Sequence, residues 1–304
     1  MTGTEHWTTK KTPDGDVRLF IWRKHSSDTS KGPILWVHGS SVQSQPAFDL
    51  QIPGKPEASV MDWFARLGYD NWCFDCEGYG KSDKKRPINA DIAEGADDIA
   101  AVVDYMAKNG VNKIHLYGSS SGALRAGLYA QRHPENVARL ALDALVWTGI
   151  DSPTLADRRK KLPQYKASNR RPIDRAFVES MFSRDGHGDA VDPVVLDAFA
   201  KAVLSMDDSM PTGTYVDMTE KLPVVDPEKI KVPTLVMRGQ WDGIASFQDV
   251  SNFFVKLPNP DKQFTVMPGA HTSMRSKNWR RAYHVLDSFF DRPALLYSGN
   301  EPSR

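Results

Sequence analysis

Short apolar runs alternate along the chain with longer segments in which apolar residues recur every three to four positions. The runs predict strands near residues 6–10, 17–23, 33–38, 70–75, 113–118, 138–143, 233–238 and 263–267. The longer segments predict helices near residues 58–67, 90–108, 121–133, 246–256 and 277–290. This alternation is typical of an α/β fold, in which helices cover both faces of a mostly parallel sheet, here of eight strands.

The alternation stops after the strand that ends near residue 143. Residues 151–226 are rich in charge, proline and methionine, with helical stretches near 173–184 and 193–206 and no convincing buried strand. We therefore expect an inserted helical cap over 151–226, between core parts at 1–150 and 227–292. The last residues, 293–304, are expected to form a loosely held tail.

The composition excludes several classes of partner. The 39 Lys and Arg residues nearly cancel the 38 Asp and Glu residues, so no strong field attracts nucleic acid or anionic lipid. Residues 1–11 are polar, and no uninterrupted run reaches the roughly 18 apolar residues of a membrane span. We expect a cytoplasmic protein without membrane insertion. The composition is compatible with a homo-oligomer.

The two cysteines, Cys73 and Cys76, have the C-x-x-C spacing of some redox pairs. However, Cys73 lies inside the apolar run of a predicted strand and Cys76 follows its end, so we expect buried structural thiols. No His/Cys cluster has the spacing of metal ligands. We therefore expect neither a metal nor an organic cofactor.

The strongest chemical signal is the G-x-S-x-G sequence at 118–122, between a predicted strand and a predicted helix. In this setting the central residue, Ser120, occupies a strained turn that exposes its hydroxyl, and the two glycines permit close packing. A simple Gly/Ser turn into a helix would look the same in isolation. Ser120 is therefore a candidate nucleophile that needs a base and an orienting acid elsewhere.

Candidates for both partners follow later strands, in the order that this arrangement requires. Asp242 lies just after the strand near 233–238, and His271 just after the strand near 263–267. Because the carboxyl ends of parallel strands meet at one edge of the sheet, we expect both side chains to lie near Ser120. Taken singly, Asp242 could be a turn or N-cap residue and His271 a surface histidine. Asp143 is the rival acid.

Acyl transfer also needs N–H donors that stabilise the developing oxyanion. The backbone N–H of Ser121, which begins a predicted helix, is one candidate, and the N–H of Ser40, in the loop after the strand near 33–38, is the other. His38 in the same loop is expected to be structural. The long connection from 42 to 57 is expected to wall a pocket.

Together these segments resemble the α/β-hydrolase fold family over residues 15–292. The resemblance is carried by His38-Gly39, the D-x-x-G-x-G-x-S segment at 75–82, the serine turn, Asp242 and His271. It implies that the segment at 75–82 is a structural loop beside the site. Family members with aspartate at the turn are dehalogenases and epoxide hydrolases; Ser120 instead points to cleavage of an ester, thioester, lactone or carbon–carbon bond.

The resulting expectation is a carboxylesterase-like serine hydrolase that acts on a small to medium, largely apolar ester or lactone through an acyl-enzyme. Ser41, Trp147, Tyr215 and Trp241 are the candidate substrate-binding residues. The alternatives are a carbon–carbon bond hydrolase, a cofactor-free perhydrolase, and a ligand-binding receptor that retains the fold with little turnover.

Overall fold

The computed structural model describes residues 1–271 and 273–296, so the tail expected at 293–304 lies outside the described residues from 297 onward. The strands are β1 (Thr4–Thr12), β2 (Gly15–Lys24), β3 (Pro33–Val37), β4 (Asp70–Phe74), β5 (Ile114–Ser119), β6 (Val137–Asp143), β7 (Arg170–Pro172), β8 (Ser209–Pro211), β9 (Thr234–Gly239) and β10 (Lys262–Met267). Eight strands form one sheet in the order β1-β2-β4-β3-β5-β6-β9-β10, and β7 and β8 form a separate antiparallel pair.

The α-helices are α1 (Ser44–Phe48), α2 (Val60–Arg66), α3 (Ile92–Lys108), α4 (Ser121–Arg132), α5 (Pro153–Lys160), α6 (Leu162–Ala167), α7 (Arg175–Ser183), α8 (Pro193–Met206), α9 (Gly213–Val216), α10 (Phe247–Lys256) and α11 (Trp279–Phe290). Shorter 3₁₀ turns occur at Pro56–Ala58, Pro134–Asn136, Gly188–Ala190, Pro227–Lys229 and Ser273–Arg275, and a π-helical turn at Asp217–Lys221.

Both faces of the large sheet are buried because successive side chains of each strand point to opposite faces. In β3, Leu35 and Val37 pack into the core on the side of α3 and α4. Ile34 and Trp36 pack into a second core on the side of α2 and α11. Burial on both sides explains why the central strands are near-continuous apolar runs.

The predicted architecture, an eight-stranded and mostly parallel sheet, is confirmed. The pairs from β4 through β3, β5, β6 and β9 to β10 are parallel, and only the β1–β2 and β2–β4 pairs are antiparallel. All eight predicted core strands and all five predicted core helices occur near their expected positions.

The segment between β6 and β9 differs from the expectation of helices alone. It contains the expected α7 and α8, but also α5, α6, α9 and the short β7–β8 pair. Each of these two strands has only three residues, and each ends in proline, at Pro172 and Pro211. A pattern search misses them because the residues that pair are about forty positions apart.

The carboxyl ends of β3, β5, β6, β9 and β10 lie at the same edge of the sheet, which is where the candidate residues of the sequence fall. No helix within 1–271 and 273–296 combines the length and the apolar composition that a membrane crossing needs.

Candidate active site

Three side chains from the ends of three parallel strands form a continuous hydrogen-bonded chain. Ser120 follows β5, Asp242 follows β9, and His271 follows β10. The distance from His271 Nε2 to Ser120 Oγ is 2.9 Å, and His271 Nδ1 lies 2.9 Å from each carboxylate oxygen of Asp242. The structure therefore brings together the three residues that the sequence singled out.

The backbone at Ser120 explains the glycines around it. Ser120 has φ +57° and ψ −121°, a backbone conformation that residues other than glycine rarely adopt, and it leads directly into α4. A Cβ at Gly122 would lie 2.6 Å from the carbonyl oxygen of His38 and would also collide with that of Val37. A Cβ at Gly118 would collide with the backbone of Gly122. Only glycine lets β3, β5 and α4 approach this closely.

Backbone hydrogen bonds fix the carboxylate of Asp242 beside the imidazole of His271. One of its oxygens also accepts from the N–H groups of Ile244, at 2.8 Å, and Ala245, at 3.1 Å. Burial raises the pKa of Asp242, but the charge and hydrogen bond of His271, together with these two N–H groups, lower it overall. An ionised Asp242 accepts a hydrogen bond from the N–H at His271 Nδ1, which leaves Nε2 free to accept one from the Ser120 hydroxyl.

The rival acid, Asp143, has other partners. Its Oδ2 accepts from the hydroxyls of Tyr117 and Ser273, both at 2.8 Å. Burial raises the pKa of Asp143 to about 6, although both hydroxyls and His271 act to lower it. Because both near oxygens at His271 Nδ1 belong to Asp242, the geometry assigns the orienting position to Asp242.

The two backbone N–H groups that the sequence suggests as oxyanion donors, those of Ser40 and Ser121, lie on the loop after β3 and at the start of α4. Ser121 is the first residue of α4, and the first N–H groups of a helix have no acceptor within the helix. The carbonyl of Ser40 accepts from Tyr79 Oη, at 3.3 Å, and from Arg171, at 3.2 Å, which fixes the orientation of the loop. Ser40 and Ser120 line the same cavity.

His38 is a structural residue of that loop. Its Nδ1 lies 2.7 Å from the carbonyl oxygen of Gly39, and its Nε2 accepts from the N–H of Cys76 at 3.0 Å. Burial, with a smaller contribution from Arg125, lowers the pKa of His38 to about 3. The ring is therefore neutral and both of its nitrogens are engaged, so it is no second base.

A cavity of about 100 Å³ opens at Ser120 and His271. Two of the four candidate substrate-binding residues, Ser41 and Tyr215, line it, and their hydroxyl oxygens lie 3.3 Å apart. The connection after β3 contributes wall residues, as the sequence predicts. The apolar part of the wall comes from Val42, Ala47, Phe48, Met181, Phe182, Phe199 and Met274.

The other two candidates, Trp147 and Trp241, do not line this cavity, which corrects the prediction. The indole N–H of Trp147 donates to the carbonyl of Val225 at 3.0 Å, so the ring is fixed elsewhere. Trp241 is 46% exposed and stacks on His187 with ring centroids 4.1 Å apart. It lines a second, neighbouring cavity of about 470 Å³.

The sequence did not reveal the arginines near the cavity. Arg158 and Arg184 line it, and Arg171 reaches Ser41 Oγ at 2.7 Å. They come from α5, from the end of α7 and from β7. The charge-rich composition of 151–226 was the available signal, but it did not tell which arginines face inward.

Comparisons with known proteins agree with this geometry. A 2-hydroxy-6-oxononadienedioate/2-hydroxy-6-oxononatrienedioate hydrolase of Burkholderia vietnamiensis is 26% identical over 286 residues, which cover 86% of this chain and 87% of that protein. A bifunctional esterase/perhydrolase of Acinetobacter calcoaceticus is 24% identical over 231 residues, 71% of this chain and 76% of that protein.

Solved structures show the same fold. An esterase from Thermogutta terrifontis superposes with a TM-score of 0.66 at 19% identity, covering 94% of this chain and 97% of that one. An enol-lactonase from Burkholderia xenovorans gives 0.66 at 17% identity, with coverage of 90% and 96%. The Hydrolase_4 family model, described as serine aminopeptidase, S33, matches residues 56–275. The chain therefore belongs to this family and is an α/β-hydrolase.

Proposed function

We propose that this α/β-hydrolase is a serine hydrolase that cleaves a carboxylic ester, lactone or thioester through an acyl-enzyme on Ser120. The observation that carries the proposal is the hydrogen-bonded chain from Asp242 through His271 to Ser120, with both links at 2.9 Å. A serine hydroxyl is a weak nucleophile by itself, and this chain supplies the base that activates it and the acid that orients the base.

The reaction proceeds in two steps. The Ser120 oxygen bonds to the substrate carbonyl carbon while His271 Nε2 takes the hydroxyl proton, and the N–H groups of Ser40 and Ser121 stabilise the oxyanion. The bond from the carbonyl carbon to the leaving oxygen or sulfur then breaks, and His271 returns the proton to the leaving group. Water, activated by the same imidazole, cleaves the acyl-enzyme and releases the acid.

Residues 151–226 act in this proposal as a cap, inserted between the core parts at 1–150 and 227–292. Support comes from the cavity wall, to which this segment contributes Arg158, Met181, Phe182, Phe199 and Tyr215. The small volume and the apolar wall opposite Ser120 favour a small to medium substrate with an apolar portion.

Cleavage of a peptide from its free amino end, which the family description would suggest, has less support. Binding an ammonium group calls for a carboxylate in the substrate cavity. Among the described wall residues Asp143 is the one carboxylate, and its Oδ2 already accepts hydrogen bonds from two hydroxyls. The other charged wall residues are arginines, which repel an ammonium group.

A carbon–carbon bond hydrolase is the second candidate, favoured by the similarity to the Burkholderia vietnamiensis enzyme over most of both chains. The similarity to the Acinetobacter calcoaceticus enzyme keeps perhydrolase activity as a further alternative. Turnover of a vinylogous diketone with little activity on p-nitrophenyl esters would favour the second candidate. Peroxide-dependent oxidation would favour the third.

Labelling with a fluorophosphonate tests the proposal. The wild-type protein should be labelled at Ser120 and should turn over p-nitrophenyl acetate many times, whereas Ser120→Ala should show neither property. A wild-type protein that is neither labelled nor active would contradict the proposal and favour a ligand-binding receptor.

We also propose a cytoplasmic location. Cys73 and Cys76 are free and buried, and burial raises the pKa of Cys76 to about 12, which keeps its thiol protonated. Free thiols suit a reducing compartment. Fractionation of cells that express the full chain, with an antibody against it, tests the location.

A further inference from the structure

Three arginines meet beside the catalytic cavity, and we call Arg158, Arg171 and Arg184 the arginine cluster. The guanidinium carbons of Arg158 and Arg171 each lie 4.1 Å from the ring centroid of Tyr215. Arg158 also donates to the Tyr215 hydroxyl at 3.4 Å. Arg184 lines the same cavity as Arg158 and Tyr215.

The cluster has no carboxylate partner in the described part of the chain. No Asp or Glu oxygen there comes within 4.0 Å of a guanidinium nitrogen of the three arginines. The hydrogen bonds of Arg171 go to neutral acceptors, the carbonyl of Ser40 and the hydroxyl of Ser41. The Nε atoms of Arg171 and Arg184 are buried, and no acceptor from the described residues reaches them.

This arrangement is unfavourable in an otherwise empty site. Guanidinium groups stay protonated, and like charges held together in a partly buried place repel each other. Burial lowers the pKa of Arg158, and the nearby Arg184 and Arg171 lower it further. Buried donors without acceptors add to the cost. Features that cost stability in this way are typical of binding sites.

Groups of the protein itself do not balance the cluster. Tyr215 can carry at most one negative charge against three positive charges. Asp157 pairs with Lys160 at 2.7 Å, and Asp143 is engaged by two hydroxyls. Asp185 is the other carboxylate among the described residues that line the two cavities; it forms no ion pair with the three arginines and supplies one negative charge. A net positive charge therefore remains at the wall.

The location of the cluster connects it with the reaction. Arg158 and Arg184 line the cavity that contains Ser120 and also line the second cavity, beside Trp241. The two cavities therefore share these side chains as a wall. An anionic group bound on the side of the first cavity would therefore share one space with Ser120.

We propose that the arginine cluster is a subsite that binds a carboxylate group of the substrate. The planar guanidinium fork matches a carboxylate, which would supply the acceptors that the Nε atoms of Arg171 and Arg184 lack. This inference rests on the proposed function and narrows its substrate class to esters or lactones that carry a carboxylate at a distance from the reacting carbonyl.

Two pairs of esters of matched shape test the subsite. Mono-p-nitrophenyl glutarate and p-nitrophenyl 5-methylhexanoate differ in the charge of the acyl end, and 4-carboxyphenyl acetate and 4-isopropylphenyl acetate differ in the charge of the leaving group. In at least one pair the wild-type protein should prefer the charged ester. In Arg158→Met and Arg184→Met the kcat/KM ratio of charged to neutral ester should fall about 10-fold to 100-fold.

Arg175→Met is the matched control. Arg175 begins α7, the helix that ends next to the cluster member Arg184, but Arg175 is exposed and pairs with Glu179 and Asp197. Its replacement should leave the charged-to-neutral ratio unchanged. The absence of a preference in both pairs, in a protein that hydrolyses the neutral esters, would overturn the subsite while leaving the proposed function intact.

A binding measurement keeps the subsite testable without turnover. Calorimetry should detect glutarate binding to the wild-type protein and to Ser120→Ala, and binding should weaken at least about 10-fold in Arg158→Met and Arg184→Met. Equal glutarate affinity in these variants, or no binding to the wild-type protein, would overturn the subsite. A wild-type protein that binds glutarate but hydrolyses none of the esters would instead refute the proposed function alone.

Discussion

At the scale of single residues, the hydrogen-bonded chain at Ser120 makes the first prediction. Ser120→Ala and His271→Ala should each lower kcat by roughly 10⁴-fold or more, because the first removes the nucleophile and the second removes the base that activates it. Asp242→Asn should lower kcat less than Ser120→Ala but still severely, because the amide no longer favours the tautomer that leaves His271 Nε2 free. Steady-state kinetics on p-nitrophenyl esters measure these effects.

Asp143→Asn provides the comparison within the same site. The carboxyl of Asp143 touches Tyr117 and Ser273 and not the imidazole, so an amide at this position should have a much smaller effect on kcat than Asp242→Asn. The reverse ranking, with a severe loss of kcat in Asp143→Asn and a mild one in Asp242→Asn, would mean that Asp143 and not Asp242 orients His271.

Tyr215 supplies the second prediction at this scale. Burial acts to raise the pKa of Tyr215, but Arg158 and Arg171 outweigh burial and lower it to about 7 from its ordinary value of 10.0. The wild-type protein should therefore show one tyrosinate, seen as ultraviolet difference absorbance, that forms near pH 7. This phase should be missing in Tyr215→Phe.

The same shift makes stability depend on pH. Because the folded pKa lies below the unfolded value, the stabilisation from Tyr215 is fully present above about pH 10 and is lost as the pH falls through about 7. The difference in the free energy of unfolding between the wild-type protein and Tyr215→Phe should therefore grow from pH 7 to pH 10. A constant difference over this range would mean that the phenol ionises normally.

Single residues also show where sequence reasoning succeeds and where it stops. Ser120, Asp242 and His271 were predictable because each follows a strand, and strand ends are set by local apolar patterns. Trp147 and Trp241 were misplaced because an aromatic residue in a loop has no local signal for its direction. The arginine cluster was missed because its members converge only after α5, β7 and α7 have packed.

At the scale of elements, the turn from β5 into α4 depends on close backbone contacts. Gly122→Ala would place a methyl group 2.6 Å from the carbonyl oxygen of His38, so β3 and α4 must move apart. We expect this overpacking to lower the free energy of unfolding by about 1–3 kcal/mol. The shift of Ser120 away from His271 should also lower kcat. Urea unfolding and ester kinetics measure the two effects.

Gly269→Ala is the control for this substitution. Among the described residues, a methyl group at Gly269 would meet the side chain of Ser276, at the ordinary contact distance of 3.8 Å. Its effect on the free energy of unfolding should be clearly smaller than that of Gly122→Ala. Equal effects would mean that any added methyl group near the site disturbs the fold, whatever its neighbours.

A helix could be predicted from the sequence when one of its faces is largely buried. In α3, Ile92, Ile99 and Val102 lie on one buried face, which gives the three-to-four spacing that the sequence displays. In α5 only Leu155 is buried, and the other positions are partly or fully exposed. No amphipathic pattern exists there to be found.

At the scale of the whole molecule, the sheet was predictable, but the way in which residues 151–226 pack on the core was not. Parallel strands buried on both faces leave long apolar runs, so their number can be counted from the sequence. The contacts that seat the cap join distant positions, and polar ones such as that of Gln43 with Asp207 are among them. Their side chains resemble ordinary surface residues until the two parts of the chain meet.

Asp207 therefore carries the last prediction. It lies at the end of α8, is buried, and accepts from the side-chain N–H of Gln43 at 2.8 Å and from the backbone N–H of Gly80 at 2.7 Å. It also pairs with Lys84. Asp207→Ala removes this acceptor from the N–H of Gly80 and from one N–H of the Gln43 amide, which keeps its bond to the Val203 carbonyl. The loss should cost about 1–3 kcal/mol and loosen residues 151–226.

Limited proteolysis followed by mass spectrometry should then find faster cleavage of Asp207→Ala within 151–226 than of the wild-type protein. Glu220→Ala is the matched control, because Glu220 pairs with Lys166 in the exposed part of the same segment, and such pairs contribute under about 1 kcal/mol. If both variants are cleaved at the wild-type rate, the polar contacts of Asp207 do not hold the cap on the core. The apolar wall around Ser120 would then be sufficient to seat it.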